Sequence, residues 1–392
     1  MSEKTYRIWN LSLGWFCFSI ALFVFGSTVE PTASFWDAGE YIATSAKLQI
    51  GHPPGAPFFQ MMGAFFALFA TSPEKIALMV NYMSVFSSAF TILFLFWTLT
   101  LLLKKIPSFK SLDTISERFG FFGSALVGSL TFCFSDSFWF NAVETEVYAM
   151  ATMILSILFW MGLKWENEMN TPIGDKWLLM ISFVIGLSFG VHFMGLLTIP
   201  AIGMIYYFKN YKKITIKGFI YANLISIAIL LVIFKLLLPS TLAFFGKAEV
   251  FFVNTIGFPF NSGTIIAALI IITIFYYALK FTREKNLVNL NTGILAILFV
   301  LIGFSSWIMI PIRANANTVI NENSPSDARQ LLAYYNMEQY PETKLFYGPM
   351  FSDIYAGQDP NQPYIDDKPK YERDYKAGKY KIVNFWEDAR YN

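Results

Sequence analysis

Long apolar stretches separated by short polar segments make up most of the chain as far as residue 311. Each stretch is near or above the roughly 20 residues that a helix needs to cross a bilayer. The clearest of them lie at about residues 11–29, 76–103, 119–134, 217–238, 264–281 and 291–311. The pattern predicts an all-α, polytopic membrane protein.

Two stretches depart from this pattern. Residues 57–70 are apolar but short for a span, so they predict an interfacial or re-entrant helix. Residues 177–207 are too long for one helix and are interrupted at GLSFGVHFMG, which predicts a tight hairpin of two short helices. With that hairpin included, residues 1–312 are expected to form a transmembrane module of about nine spans.

The positions of lysine and arginine favour one orientation. Lys4 and Arg7 near the N-terminus, and a basic cluster after residue 103, belong on the cytoplasmic side by the positive-inside rule. Residues 30–75 then form an external loop. Residues 313–392 carry no further apolar span, and we expect them to form a soluble extracytoplasmic segment, with the N-terminus in the cytoplasm.

This last segment is small for a domain of its own. It has about 80 residues, which leaves a thin core, and it stops at VNFWEDARYN without a polar trailer. We therefore expect residues 313–392 to be part of a larger, truncated soluble region.

The composition narrows the function classes. The chain is 55% hydrophobic and 14% charged, and its formal net charge of +2 gives no reason to expect a nucleic-acid partner. Its two cysteines, Cys17 and Cys133, both lie in apolar blocks. We therefore do not expect a disulfide framework or a thiolate zinc site.

Candidate chemistry is concentrated in the loop sequence SFWDAGEYIATSAKLQIGHPPGAPFF. On a helix, Asp37 and Glu40 are neighbours at i and i+3. Two close carboxylates raise each other's pKa or share a cation, so the pair could serve as general base or metal ligand. The alternative is that Ser34 and Asp37 form a capping box that only starts a helix.

His52 follows on a segment that two prolines hold extended, because the residue before a proline is pushed out of the helical region. An imidazole beside two carboxylates has the makings of an acid/base site or of a site for a divalent metal. The alternative is a rigid turn that leads the chain back into the membrane. The ligand spacing is not diagnostic of any one metal.

Three phrases, WDAGEYIATSAKLQIGHPPGAPFF, FWFNAVETEVYA and PIRANANTVINENSPSD, together with the broken pair GLSFGVHFMGLLTIP, resemble the GT-C membrane glycosyltransferases. Within that class the chain is most similar to a bacterial and animal family that includes a protein O-mannosyltransferase of plexin-type domains. The phrases are spread over most of residues 30–330. The resemblance implies a GT-C-like helical bundle with external loop helices.

The resemblance also implies an activity. Such enzymes move a sugar, such as mannose, from a polyprenyl-phosphate donor to a protein or glycan acceptor at the outer face of the membrane. In related enzymes an Asp-Glu pair in the first external loop supplies the base, and Asp37 inherits that role. Glu40 inherits its place less closely, since two residues separate the pair here.

Five further residues are candidates for donor or acceptor binding: His52, Glu144, His192, Arg313 and Glu322. Glu144 stands first in the NAVETEVY motif and is preferred to Glu146, although both could belong to a solvated loop. His192 lies at the break of the hairpin, where a structural imidazole is the alternative. Arg313 could meet the donor phosphate or only snorkel to headgroups.

Two other function classes remain open from the sequence. One is a transporter or flippase of a lipid-linked or small solute, although the internal halves look dissimilar. The other is a non-catalytic envelope assembly protein. By resemblance we expect a bacterial inner membrane, and the need for a divalent metal stays undecided.

Overall fold

The computed structural model describes residues 1–171, 173–340, 352, 364–366, 369–383 and 387–389, and the chain is helical for most of this length. The α-helices are α1 (Glu3–Ser27), α2 (Ala38–Lys47), α3 (Pro57–Ala67), α4 (Ile76–Leu103), α5 (Ile115–Cys133), α6 (Asp136–Ala142), α7 (Val147–Glu168), α8 (Gly174–Ser188), α9 (Thr198–Asn210), α10 (Ile216–Leu231), α11 (Leu238–Val250), α12 (Ser262–Glu284), α13 (Val288–Phe304), α14 (Met309–Ala314) and α15 (Ala328–Tyr335). Two antiparallel strand pairs follow, β1 (Tyr364–Asp366) with β4 (Glu387–Ala389) and β2 (Tyr371–Asp374) with β3 (Lys379–Ile382).

Within the described residues, six helical segments are long and apolar enough to cross a membrane, and α5 with α6 would make a seventh as one span bent by 66°. The six are Glu3–Ser27, Pro73–Leu103, Val147–Glu168, Ile216–Ile256, Ser262–Glu284 and Val288–Ala314. The predicted class, an all-α polytopic membrane protein, is confirmed.

Shorter helices lie between these segments. α3 has 11 residues, and at 1.5 Å per residue it is about 16 Å long, too short for a hydrocarbon core of about 30 Å. α8 and α9 have 15 and 13 residues. Between them the chain passes through a 3₁₀ turn, Phe193–Leu197.

Aromatic side chains fill the core between α1, α4 and α5. Phe25, Phe96 and Phe121 are fully buried there, and the two free cysteines lie in the same core. Such packing stabilises a helical bundle in lipid mainly through close contact, because lipid tails are as apolar as the side chains.

Glycines allow α8 and α13 to approach each other closely. A Cβ atom on Gly186 would collide with the carbonyl oxygen of Val300, and one on Gly303 would collide with that of Phe183. Small residues are typical of such helix contacts in membranes. The contact fixes α13, and with it the short helix α14 that follows.

The helix ends gather at two faces of this bundle. The amino group of Met1 lies 3.3 Å from Asp113 Oδ1, between α4 and α5, and Lys105 Nζ lies 2.5 Å from Glu166 Oε1 near the end of α7. At the other face the first loop (residues 28–75) meets the second loop (residues 134–146), where the N–H of Glu30 donates to the carbonyl of Val143 at 3.0 Å.

The chain divides into two compact units, Met1–Leu238 with Tyr277–Ser326, and Pro239–Tyr276 with Asp327–Asn392. Residues 313–326 belong to the first unit, whereas the sequence placed a boundary at 312/313. The reason is a set of long-range contacts to the first loop, such as the bridge between Ile50 and Asn321. The predicted soluble segment 313–392 lies in part outside the described residues.

Candidate active site

Asp37 stands immediately before α2 in the first loop. Its side chain makes no capping hydrogen bond to the helix, and 57% of it is exposed. The hydroxyl of Ser34 instead donates to Glu144 Oε2 at 2.5 Å. The capping-box alternative is therefore not what the structure forms, and the Asp37 carboxylate is open to a substrate.

Glu40 lies one turn into α2 and holds His52. Its Oε1 accepts the backbone N–H of His52 at 2.6 Å, and its Oε2 lies 2.9 Å from His52 Nδ1. Gly51 makes this approach possible, because a Cβ atom there would collide with Glu40 Oε1. The backbone at Gly51 and His52 thus lies directly against the Glu40 carboxylate. A cis peptide bond between Pro53 and Pro54 follows.

This contact changes the acidity of both partners. Burial alone would raise the pKa of Glu40, but the hydrogen bonds from His52 outweigh it and lower that pKa below its usual value. The same side-chain hydrogen bond raises the pKa of His52 despite partial burial, and the charges of Asp37 and Glu322 raise it further. The pair therefore favours an imidazolium held by a carboxylate.

The imidazole also faces Asp37, with His52 Nε2 at 3.8 Å from Asp37 Oδ2. One ligand atom from each of Asp37, Glu40 and His52 lies within 4.8 Å of the others, so these residues could hold a divalent cation. Glu40 directs both oxygens at His52, however. A cation bound by His52 would have to replace one proton of the imidazolium, so metal binding would compete with protonation.

Glu322 is brought to this cluster by backbone pairing. The N–H of Ile50 donates to the carbonyl of Ile320, and the N–H of Glu322 donates to the carbonyl of Ile50, both at 3.1 Å. Burial and the charge of Glu40 raise the pKa of Glu322. Four predicted site residues, Asp37, Glu40, His52 and Glu322, thus lie together.

The second loop contributes two carboxyl groups with different surroundings. Glu144 is buried and bound by Ser34, and its burial raises its pKa. Glu146 is 6% exposed, and its Oε1 has no hydrogen-bond partner among the described residues. Burial, with the charges of Asp37 and Glu144, raises the pKa of Glu146 to about 7.

Tyr41 packs beside this group of acids. Its ring centroid lies 5.7 Å from that of His52. Burial, together with the charges of Glu146, Asp37 and Glu40, raises the pKa of Tyr41 above its ordinary value. The phenol therefore stays protonated and is a hydrogen-bond donor rather than a base.

Asn81, in the second turn of α4, joins the two loops. Its Nδ2 donates to the carbonyls of Glu30 and Thr32 at 2.7 and 2.8 Å, and its Oδ1 accepts from the hydroxyl of Thr145 at 2.5 Å. All three groups lie at the same end of α4. The amide therefore sets the position of Asp37 relative to the second loop.

Arg313 lies at the other end of α2. Its Nε donates to the carbonyl of Leu48 at 2.6 Å, and its Nη2 donates to the carbonyl of Lys47 at 3.0 Å. A cation at these last carbonyls also favours the helix dipole. The structure thus places Arg313 as a support of α2, away from the exposed carboxylate of Asp37.

His192 lies at the bend between α8 and α9. Its Nδ1 accepts the N–H of Met194 at 3.2 Å, and its ring packs 5.4 Å from that of Tyr148. Among the described residues it forms no hydrogen bond or ion pair with the Asp37 cluster. Its position fits a residue that caps the 3₁₀ turn.

Glu146 is the carboxyl that the sequence ranks below Glu144 but that the structure brings under the influence of Asp37. The chain is extended at Glu146, with φ −122° and ψ 147°, before α7 begins at the next residue. Ser34 binds Glu144, and Asp37 acts on Glu146, so both carboxyls face the first loop. The signal that could have favoured Glu146 is its place directly before a long apolar helix.

A comparison with known protein families matches residues 37–215 to the model described as the N-terminal domain of Protein O-mannosyl-transferase TMEM260. The matched range contains Asp37, Glu40, His52, Glu144 and His192. Arg313 and Glu322 lie beyond it. No solved structure matches the chain.

A curated relative is Protein O-mannosyl-transferase tmem260 of Dictyostelium discoideum, 25% identical over 189 residues. The match covers 45% of this chain and 21% of that relative's length. The expected resemblance to membrane protein O-mannosyltransferases is thereby confirmed.

Proposed function

We propose, on the basis of this similarity, that the chain carries the catalytic loops of a membrane glycosyltransferase. It would move a sugar, such as mannose, from a polyprenyl-phosphate donor to a protein hydroxyl. The reaction would take place at the outer face of a bacterial inner membrane, with the N-terminus in the cytoplasm.

The observation that carries the proposal is the setting of Asp37. An exposed carboxylate, uncommitted to its helix, stands beside an imidazole that a second carboxylate holds in place. A hydroxyl is a poor nucleophile until a positioned base takes its proton in the transition state, which contributes about 10²- to 10⁴-fold. Asp37 is the carboxylate placed to do this.

The proposed transfer has one bond made and one broken. The acceptor oxygen bonds to the anomeric carbon of the donor sugar as its proton passes to Asp37. The bond between that carbon and the phosphate oxygen breaks, and polyprenyl phosphate leaves with the electron pair. If the attack is direct, the anomeric configuration inverts.

Glu40 and His52 support this step. Glu40 fixes the ring so that Nε2 faces Asp37. The imidazole thus offers a positive group 3.8 Å from the carboxylate proposed as the base. Where a divalent cation is bound by the same three residues, it would supply charge to the donor phosphate instead.

The test is sugar transfer in membranes that contain the full-length protein. The donors are radiolabelled polyprenyl-phosphate sugars. Asp37→Asn is expected to lower the rate about 10²-fold or more, because the amide cannot accept the proton. Asp136→Asn, an exposed acid in the first turn of α6, is the matched control and should keep full activity.

Transfer with wild type and Asp136→Asn, but not with Asp37→Asn, supports the proposal. Equal labelling with wild type, Asp37→Asn and empty membranes, at matched expression, contradicts it. That result would favour transport or a role in envelope assembly.

A further inference from the structure

Phe35 and Trp36 project from the first loop directly before Asp37. Their side chains are 80% and 84% exposed. Two neighbouring aromatic residues with so little protein around them are unusual, because aromatic side chains are among those that most favour burial. The pair, called the aromatic tip below, needs a partner outside the chain.

The aromatic tip is held rather than loose. On its N-terminal side the backbone of residues 30–32 is tied to Asn81 and Val143. Ser34, the residue before the tip, is bound to Glu144. Trp36 itself adopts φ 60°, a left-handed conformation that bulky residues rarely take and that tends to mark functional positions.

The length of α4 gives the level of the tip relative to a bilayer. From Leu103, beside the basic cluster, back to Asn81 is about 33 Å of helix, and Thr145, two residues before Val147, binds Asn81. This length is close to a hydrocarbon core of about 30 Å. Asn81 and Val147 therefore mark the opposite boundary of that core.

The aromatic tip is tied to both of these marks. Asn81 binds the carbonyls of Glu30 and Thr32, and Ser34 binds Glu144, which lies three residues before Val147. Phe35 and Trp36 thus lie near the level of the boundary between acyl chains and headgroups. Tryptophan is enriched at this level because one end of its ring is apolar and the other is polar.

We infer that the aromatic tip inserts into the phospholipid leaflet at this face, at the boundary between headgroups and acyl chains. The contact needs no enzymatic role to exist. Its significance for catalysis rests on the function proposed above. If the aromatic tip is anchored in the leaflet, it would hold Asp37 at the same depth as the phosphate group of a lipid-linked donor.

Depth-dependent fluorescence quenching tests the inference. Single cysteines replace Phe16, Trp36 or Glu74, and each is labelled with bimane in the full chain in phosphatidylcholine vesicles. Phe16 is an exposed residue near the middle of span α1, and Glu74 is exposed before the first turn of α4, about 10 Å beyond Asn81. Cys17 and Cys133 are fully buried, so wild type serves as the labelling blank.

The expected order of quenching is specific. The label at position 16 should respond most to nitroxide deep in the acyl chains, and the label at position 74 to aqueous iodide. The label at position 36 should be quenched most by nitroxide at the headgroup or in the upper acyl chain. That quenching should be about twofold stronger than quenching by aqueous iodide. A label at position 36 that follows iodide as strongly as position 74 overturns the inference.

An acceptor contact is the other reading that this design detects. If lipid nitroxides leave position 36 unquenched and its emission changes only when an acceptor protein is added, the tip binds protein and the inference is wrong. Quenching of position 16 by deep nitroxide in the same preparation shows that the chain is inserted and folded.

Transfer assays separate this inference from the proposed function. Trp36→Ala should raise the donor KM in vesicles several-fold, whereas Trp36→Phe should stay close to wild type. Lipid quenching at position 36 without any sugar transfer by wild type would leave the membrane contact standing and reject the enzyme. Unchanged kinetics of Trp36→Ala beside an active wild type would reject the catalytic significance of the tip alone.

Discussion

At the scale of single residues, the clearest electrostatic feature is the buried carboxyl of Glu146, whose pKa is raised from 4.5 to about 7. A carboxyl whose pKa is raised in the folded state stabilises the protein below its unfolded pKa, and that stability is lost as the pH rises through the folded value. The loss is complete above about pH 7.

Glu146→Gln should therefore leave stability unchanged near pH 4 and raise it at pH 8. The shift corresponds to roughly 3 kcal/mol at 1.36 kcal/mol per pKa unit. Thermal unfolding in detergent at pH 4, 6 and 8 measures the effect. Glu284→Gln, an exposed carboxyl on α12, should give a curve parallel to wild type.

If the unfolding temperatures of wild type and Glu146→Gln change in parallel between pH 4 and pH 8, the raised pKa assigned to Glu146 is contradicted. A fall in the pKa of Glu146 in Asp37→Asn would show in addition that the two carboxyls interact.

The candidate residues of the first loop could be read from the sequence because they lie within sixteen positions of one another. The i, i+3 spacing of Asp37 and Glu40 and the proline-held His52 already suggest proximity. The choice between Glu144 and Glu146 could not be read in this way. It depends on which carboxyl binds Ser34 and which lies near Asp37. The packing of the first loop against the second loop decides this.

At the scale of secondary-structure elements, α2 carries the proposed base at one end and is held at the other by Arg313. Removing this side chain leaves the carbonyls of Lys47 and Leu48 without their charged donors, at a cost of roughly 2 kcal/mol. Arg313→Ala should thus lower both the unfolding temperature and kcat, with little change in the donor KM.

Steady-state kinetics beside thermal unfolding make the distinction. Arg283→Ala, an exposed arginine in the last turn of α12, is the control. A large rise in donor KM with kcat and stability unchanged would instead support the predicted role of Arg313 in binding the donor phosphate.

The contact between α8 and α13 is a second feature at this scale. Gly303→Ala should destabilise the chain by about 1–3 kcal/mol, because the added methyl group has no room beside the Phe183 carbonyl. Gly293→Ala on the same helix meets open space and should be neutral or slightly stabilising. Thermal unfolding of both variants in detergent checks this. Equal effects would show that the helices do not touch there.

Helices were the part of the fold best predicted from sequence. Apolar length alone locates the spans, and the capping box of Thr114 and Glu117 marks the start of α5. The bend between α5 and α6 could not be predicted, because no proline marks it. Nor could the support of α2 by Arg313, which joins residues 265 positions apart.

At the scale of the whole molecule, charge predicts which face is cytoplasmic. Cysteines at Lys110 and at Asn323, both exposed, test it with a membrane-impermeant maleimide. Position 323 should react in intact cells stripped of their outer envelope, and position 110 only in inverted vesicles. Labelling of both from the same side would contradict the orientation and the proposed outer-face reaction.

The compact units were less predictable than the orientation. Hydropathy places a boundary where the last apolar stretch ends, but residues 313–326 join the first unit through Ile50 and Gln49. Such long-range pairing forms only in the folded chain and produces no periodic pattern in the sequence.

The bond between Thr145 and Asn81 has a consequence for biosynthesis. The two residues are 64 positions apart, so at 5–20 residues per second a ribosome needs about 3 to 13 seconds to pass from one to the other. During that interval the first loop and the start of α4 have already left the ribosome. Glu144 and Glu146, the carboxyls that face the first loop, have not yet emerged. A nascent chain therefore acquires its proposed reaction centre only with the insertion of α7, and the proposed site would be incomplete until that helix has entered the bilayer.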